Sequence, residues 1–462
     1  MNGKSLRETL QAVLPDEEIE ATARAVGVVM RERKLDIAKL VGSLVLSNGS
    51  DDSGVLAEAL RRYNQGQGTN DHVVRGAFYA WLDDEMAQLM ERVLEHVLDY
   101  AAALPPLLPG ILGVGVEDWR IFDSETITLR PALADLFPAS GSPAGVKVHK
   151  ELSLGRGCMT DYHLSPAREH DSPHLVIDER YRNIGLLFDL GYVSLKRIRE
   201  CNDHGASYVI RLKENWKPRI LRLHRGDVRA ELCPEADLDL TLADEKVALK
   251  GRCVDATVVI GKGRHAVTSR LVMIPGPEGY LIYLTNLPRK THGPRKVGDL
   301  YRLRFEIEGD NKLDKSGAQL DQIRATTESS VKIQLCAKLL HSLLVDILVH
   351  NDNLERVREE QARRAPLHKL SVSYALRARH AILLAALLNP ETPCEEWERY
   401  SSEIANDARD PNWRSRPSVL DRLLGMTAPR GRPRRKKLRD CRPSAAPYWN
   451  RGIVQEIHRV PN

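Results

Sequence analysis

Trp119-Arg120-Ile121-Phe122-Asp123 and Ile184-Gly185-Leu186-Leu187-Phe188-Asp189 are two short, mostly apolar runs, and each stops at an aspartate. Runs of this length with polar boundaries have the form of buried strands. Residues 145–152 alternate apolar and polar side chains, the period of a half-buried strand, and residues 159–164 read as a third strand. Residues 174–184 and 194–204 read as helices, the second closed by Gly205, and residues 207–212 as a further strand. The order of three strands, helix, strand, helix, strand predicts a layered α/β core. An aspartate at the carboxyl end of a buried strand points at the crevice where open α/β sheets bind ligands. A strand-end aspartate that only makes a turn looks the same in sequence.

Working outward, residues 217–288 have a different character. Short runs rich in Val, Thr and Leu (238–242, 254–260, 266–274 and 279–284) are punctuated by Gly and Pro, which predicts an all-β insertion. Gly261-Lys262-Gly263 lacks the spacing of a phosphate-binding loop and reads as a hairpin turn. Residues 5–30 and 77–104 have helical rhythm, as do 331–350 and 381–388. Pro105, Pro106 and Pro109 mark a linker after the first helical block. The predicted fold class is α+β, with boundaries at 1–110 (helical, end-recognising), 111–216 (core, first part), 217–296 (β-rich insertion), 297–350 (core, second part) and 351–462 (helical with a basic tail).

Composition narrows the function classes. The 462 residues correspond to about three domains. Apolar residues at 42% and charged residues at 28% exclude a disordered chain. The 7 cysteines include no Cys-x-x-Cys pair, which argues against a zinc site and for a reducing compartment. The N-terminus lacks the apolar core of a signal peptide, and the apolar stretch 101–116 is broken by three prolines. The expectation is a soluble cytoplasmic protein with no membrane association.

Tyr301, Arg304, Glu308 and Lys315 fall at i, i+3, i+7 and i+14, so on one continuous helix they would share a face. Such a row can be a solvated face with an internal ion pair. It also suits a phosphodiester, with the acid holding metal and the cations and phenol gripping phosphate. The spacing Tyr-x2-Arg-x3-Glu-x6-Lys resembles the signature of a large group of DDE transposases from bacterial insertion sequences. Asp123-Ser124-Glu125-Thr126 and Asp189-Leu190-Gly191-Tyr192 resemble that group's first and second acidic motifs, and residues 283–288 are also similar to family sequences. The resemblance runs from about 118 to 350. One departure is Gly309-Asp310 after the glutamate, where family members usually have an apolar or aromatic residue at the second place; the glycine predicts a bend that displaces Lys315.

The resemblance implies an RNase H-like core interrupted by a β domain. Its catalytic triad would be Asp123, Asp189 and Glu308, holding two Mg2+ or Mn2+ ions, with Tyr301, Arg304 and Lys315 on DNA. It implies excision of the element's ends, commonly through a DNA hairpin, and joining of the 3′ ends to target DNA. The partners would be double-stranded DNA, as terminal inverted repeats and target, and a second copy of the chain in a homodimer on DNA. The location would be the bacterial cytoplasm, at the nucleoid. A rival reading is a DNA-binding repressor that occupies the ends without cleaving. A sugar hydrolase using paired carboxylates leaves the Tyr301/Arg304/Lys315 row without purpose.

Other candidates have blander readings. Asp161, His163, His170, Asp171 and His174 show no established ligand spacing and read as a polar loop, and His149 as a surface strand residue. Trp216 suits packing better than base stacking. The basic stretch 429–442 is either a DNA-tracking segment or a solvated tail. Asp178 is the first alternative to Asp189.

Overall fold

In the computed structural model the run ending at Asp123 lies beside the run ending at Asp189 as parallel strands, and a nine-stranded sheet extends outward from that pair. The structure describes residues 2–28, 36–46, 55–65, 72–107, 115–213, 215–224, 253–276, 279–358 and 364–410. The expected strand 238–242 and the basic stretch 429–442 lie outside the described residues.

Six helices come first: α1 (Gly3–Val13), α2 (Asp16–Val26), α3 (Ile37–Leu46), α4 (Val55–Asn64), α5 (Arg75–Ala80) and α6 (Asp84–Ala103). Then follow β1 (Asp118–Leu129), β2 (Ala144–Ser153), β3 (Cys158–Pro166), β4 (Ile184–Phe188), α7 (Leu195–Asp203) and β5 (Ser207–Arg211). The β-rich block supplies β6 (Arg219–Leu223), β7 (Val254–Ile260), β8 (Val267–Gly276) and β9 (Gly279–Thr285). The chain closes with α8 (Pro294–Arg302), α9 (Glu306–Lys312), α10 (Glu328–Arg358), α11 (Lys369–Ala378), α12 (His380–Leu387) and α13 (Cys394–Ala408).

The strand order is β3-β2-β1-β4-β5-β9-β8-β7-β6. β1, β4 and β5 run parallel and every other pairing is antiparallel. The β-rich block therefore continues the sheet, joined where Val209 of β5 faces Thr285 of β9. β1 also runs beyond Asp123, where the sequence predicts its end. Its pairing with β4 stops at Phe122 opposite Phe188, whereas its pairing with β2 continues to Leu129 opposite Ala144. The crevice at Asp123 opens because β4 departs.

Alternation along the strands assigns the faces. Trp119 and Ile121 of β1 and Leu187 of β4 share a core with Val297, Leu300 and Tyr301 of α8. Phe122, Leu186 and Phe188 face the other way, onto Ile198 and Cys201 of α7. Gly185 sits opposite Trp119 in register, and a Cβ there would lie 2.4 Å from the indole. Only glycine lets the ring lie across the neighbouring strand.

Residues 174–184 depart from the predicted helix. They hold two 3-10 turns at most, one ending at His174 (Ser172–His174) and one at Glu179–Tyr181. The Asp178 carboxylate accepts from the Arg180 N–H at 2.9 Å, a local bond that competes with helix formation, while Leu175, Ile177 and Tyr181 are drawn into the α7-side core.

The helical ends of the chain share a third core. α10, 31 residues long, packs against α1, α3, α6, α11 and β3. It is apolar enough to cross a membrane by length and composition, yet its apolar window is wholly buried within the protein. On it, His341 binds the Val45 carbonyl of α3 through Nδ1 (3.1 Å) and the Ser373 hydroxyl of α11 through Nε2 (2.8 Å). Burial, aided by Arg377, pushes the His341 pKa down to about 3.

Two outcomes follow from this packing. Gly185→Ala forces the Trp119 ring aside and should cost about 1–3 kcal/mol in denaturant unfolding, as overpacked cores do. A depressed histidine stabilises the fold above its unfolded pKa and loses that contribution as pH falls toward its folded value. Stability measured at pH 5 should therefore fall below that at pH 7 by about 2 kcal/mol from His341 alone, and His341→Gln should flatten that part of the slope.

Candidate active site

Asp123 lies two residues beyond Ile121 and Asp189 two beyond Leu187, so strand alternation sends both carboxylates to the face covered by α8 and α9. Asp123 is held at both oxygens: Oδ1 accepts from the Ser124 N–H at 2.9 Å and Oδ2 from Asn311 Nδ2 at 2.7 Å. Asp189 opens a 3-10 turn, its carbonyl accepting from the Tyr192 N–H at 3.0 Å. Its carboxylate stands close enough to Tyr301 to be felt there. Burial raises the Tyr301 phenol above its usual range, Arg304 opposes the rise and Asp189 adds to it.

The signature residues do not share one continuous α-helix. α8 ends at Arg302, Leu303–Phe305 is a 3-10 turn, α9 spans Glu306–Lys312 and Leu313–Gly317 is a π turn. Gly309 lies inside α9, so the helix is not interrupted at the glycine itself. The changes of pitch fall where Leu303 and Leu313 enter two different cores, and they re-phase the helix to bury both.

Tyr301 packs against Tyr283, ring centroids 5.0 Å apart. The Arg304 guanidinium, only 7% exposed, lies over Phe305 at 4.8 Å and over Tyr301 at 6.0 Å. Glu308 is exposed on α9, one turn before the Asn311 that bonds Asp123, which sets the Glu308 helix against the first aspartate. Lys315 leaves the row: from the π turn its ammonium reaches Glu125 of β1 at 3.4 Å.

Beneath these groups lies a buried charge network that the residue pattern did not bring forward. Lys150 of β2 stands opposite Asp123 in register and is 6% exposed. It donates to Asn311 Oδ1 at 2.8 Å and to Asp314, and pairs with Glu125 at 3.4 Å. Burial works against its charge, but Asp314 and Glu125 more than compensate and hold the ammonium above the usual lysine range. Beside it, Lys369 of α11 pairs with Asp310 and, at 2.7 Å, with Asp346. A cavity of about 20 Å³ lies beside Lys150, Asp310, Asp314 and Asp346, walled mainly by apolar side chains such as Leu152, Ile307 and Leu343. One sequence signal marks the network: Lys150 occupies the apolar phase of its strand, in step with Val146, Val148 and Leu152.

The histidine-rich segment is partly corrected. His149 is buried, bonded to the Ser165 hydroxyl at 2.9 Å and stacked on His174 at 4.3 Å, because β3 and the turn at His174 cover it. His163 stacks on His174 at 4.9 Å, and Asp171 pairs with Lys147 at 2.8 Å. Asp178 is occupied by its exposed pair with Arg180. Trp216 packs against the α7-side core.

Asp123, Asp189 and Glu308 offer the hard oxygen donors that Mg2+ or Mn2+ prefers. Among the described residues no three His, Cys, Asp or Glu side chains are gathered to hold an ion, so the fit rests on donor chemistry and on the adjacency of the elements.

The two lysines should separate cleanly in denaturant unfolding. Lys150→Met leaves Asp314 buried without that cation and Glu125 with Lys315 alone, and should cost about 3–5 kcal/mol. Lys315→Ala removes a side chain that is 54% exposed, and should cost under about 1 kcal/mol.

Residues 115–344, from just before β1 into α10, match the model of the transposase DDE domain. The chain is 21% identical over 374 residues to the transposase for insertion sequence element IS231F of Bacillus thuringiensis subsp. israelensis, covering 72% of this chain and 77% of that one. It is 37% identical over 71 residues to the transposase for insertion sequence element IS421 of Escherichia coli, 15% of this chain and 19% of that one. A cryo-EM structure of the piggyBac transposase synaptic complex with hairpin DNA is similar at a TM-score of 0.47 and 11% identity, over 89% of each chain. With both aspartates, the glutamate and the Tyr-Arg-Glu-Lys row inside the matched domain, the chain belongs to the DDE transposases of insertion sequences and acts on DNA.

Proposed function

We propose that this transposase moves its element by cut-and-paste, with Asp123, Asp189 and Glu308 as the catalytic triad and two Mg2+ or Mn2+ ions held between them. The observation that carries this reading is the convergence of elements. β1 and β4 part just before their two aspartates, Asp189 lies near Tyr301 of α8, and Asn311 of α9, one turn from Glu308, is bonded to Asp123. Bound divalent ions supply activation of water or a DNA 3′-hydroxyl and charge stabilisation at the leaving oxygen.

The chain's own side chains do the positioning. Arg304, braced on two aromatic rings, presents a planar fork suited to phosphate oxygens, and Tyr301 adds a phenolic donor. Lys315 keeps an exposed ammonium that can exchange Glu125 for a phosphate. In this reading β1–β5 with α7 form an RNase H-like core and β6–β9 its insertion. Residues 1–110 recognise the terminal repeats, and a homodimer brings two ends together on DNA.

Asp123→Asn, Asp189→Asn and Glu308→Gln keep side-chain size while removing a metal-binding charge. Each should lower Mg2+-dependent cleavage of an end-bearing DNA duplex by about a thousandfold or more, with non-additive losses in combination and with end binding retained. Near wild-type cleavage in any one of them removes that residue from the triad. A wild-type protein that binds the ends and cleaves with neither Mg2+ nor Mn2+ is the repressor instead.

A further inference from the structure

We propose that Asn311, oriented by Lys150, is a positioning residue that fixes the Asp123 carboxylate relative to Glu308. The inference rests on the triad reading and adds to it a residue outside the signature.

The orientation of the Asn311 amide is over-determined. An ammonium has donors and no acceptor, so the Lys150 Nζ at 2.8 Å can face only Oδ1. The amide NH2 is thereby left toward Asp123 Oδ2, at 2.7 Å, where a carboxylate can only accept. Lys150 itself is immobilised by Asp314, three residues beyond Asn311 on the same helical path, and by Glu125 of β1. The Ser124 N–H fixes the other Asp123 oxygen. The result is a chain of bonds from sheet to helix: Lys150 on β2 to Asn311 on α9 to Asp123 on β1. Since Glu308 shares the Asn311 face of α9, the same chain sets the spacing between the first and third acids.

Groups that hold a metal-binding carboxylate in place from behind change metal affinity about 10–100-fold when removed. Asn311 is only partly buried and lies on a helix, where alanine is the best helix former, so Asn311→Ala tests the bond with the fold kept. Mn2+ alone is titrated calorimetrically into the full-length protein, and melting is measured in metal-free buffer. The expected result is Mn2+ affinity about 10–100-fold weaker than wild type, with metal-free melting little changed. Should Asn311→Ala not fold, Asn311→Ser is read in the same way.

A variant that melts lower but binds Mn2+ within twofold of wild type, or one that matches wild type in both, overturns the inference, since Asn311 then pins helix to sheet and does nothing for the site. Asp123→Asn, titrated alongside, separates the two levels. If it loses Mn2+ while the Asn311 variant keeps it, the positioning role alone fails. If Asp123→Asn keeps wild-type Mn2+ binding, the triad reading fails first.

Discussion

The Lys150 ammonium is buried and touches carboxylates and an amide drawn from β1 and from the helical path between α9 and the π turn. A buried charge of this kind is tolerable only when its partners are all in place, since removing one partner leaves the others desolvated and unpaired. The docking of α9 on the sheet is thus tied to electrostatics as well as to the apolar seam formed by Ile121, Leu187, Leu303 and Ile307. The apolar seam sets how close the helix lies. The charge network selects its rotation and register, and with them the side on which Glu308 emerges.

A second cation repeats the arrangement one layer further out. Lys369 joins Asp310 of α9 to Asp346 of α10, so the C-terminal helices grip the same helix from behind. Burial, with Asp310 adding and Lys369 opposing, pushes the Asp346 carboxyl up to about 8. α10 also carries the core that unites α1, α3 and α6 with α11. The expected boundary at residue 350 falls within α10, whose residues on either side are buried, and described residues near the other expected boundary are buried too. Leu107, within the proline-rich stretch, is 3% exposed, and its N–H bonds the Gly155 carbonyl at 2.6 Å.

The β-rich block has a consequence for the same site. By adding β9 to β5, it extends the surface against which α8 packs, and Tyr283 of β9 becomes the partner of Tyr301. Gly298 of α8 allows this approach, since a Cβ there would meet Ile274 of β8 at 2.5 Å. Tyr301 is therefore seated by the β-rich block, although it belongs to the segment that follows it.

The candidate site was read from markers that are local in the sequence. Apolar runs ending at Asp123 and Asp189, the alternation of 145–152 and the spacing from Tyr301 to Lys315 each depend on neighbours a few residues away, where the periods of strand and helix operate. What escaped depends on partners distant in the chain. Residues 174–184 have a helical pattern, yet side-chain capping by Asp178 and the pull of the α7-side core break it into turns. His149 looks like a surface residue until the turn at His174 closes over it. The row from Tyr301 to Lys315 has helical spacing, but the need to bury Leu303 and Leu313 in separate cores changes its pitch twice and sends Lys315 to Glu125. Lys150 reads as one charge in an alternating strand. Only the folded chain brings Asn311 and Asp314 to it from the far side of the β-rich block, because desolvation makes a buried ammonium demand partners and no local period specifies where they come from.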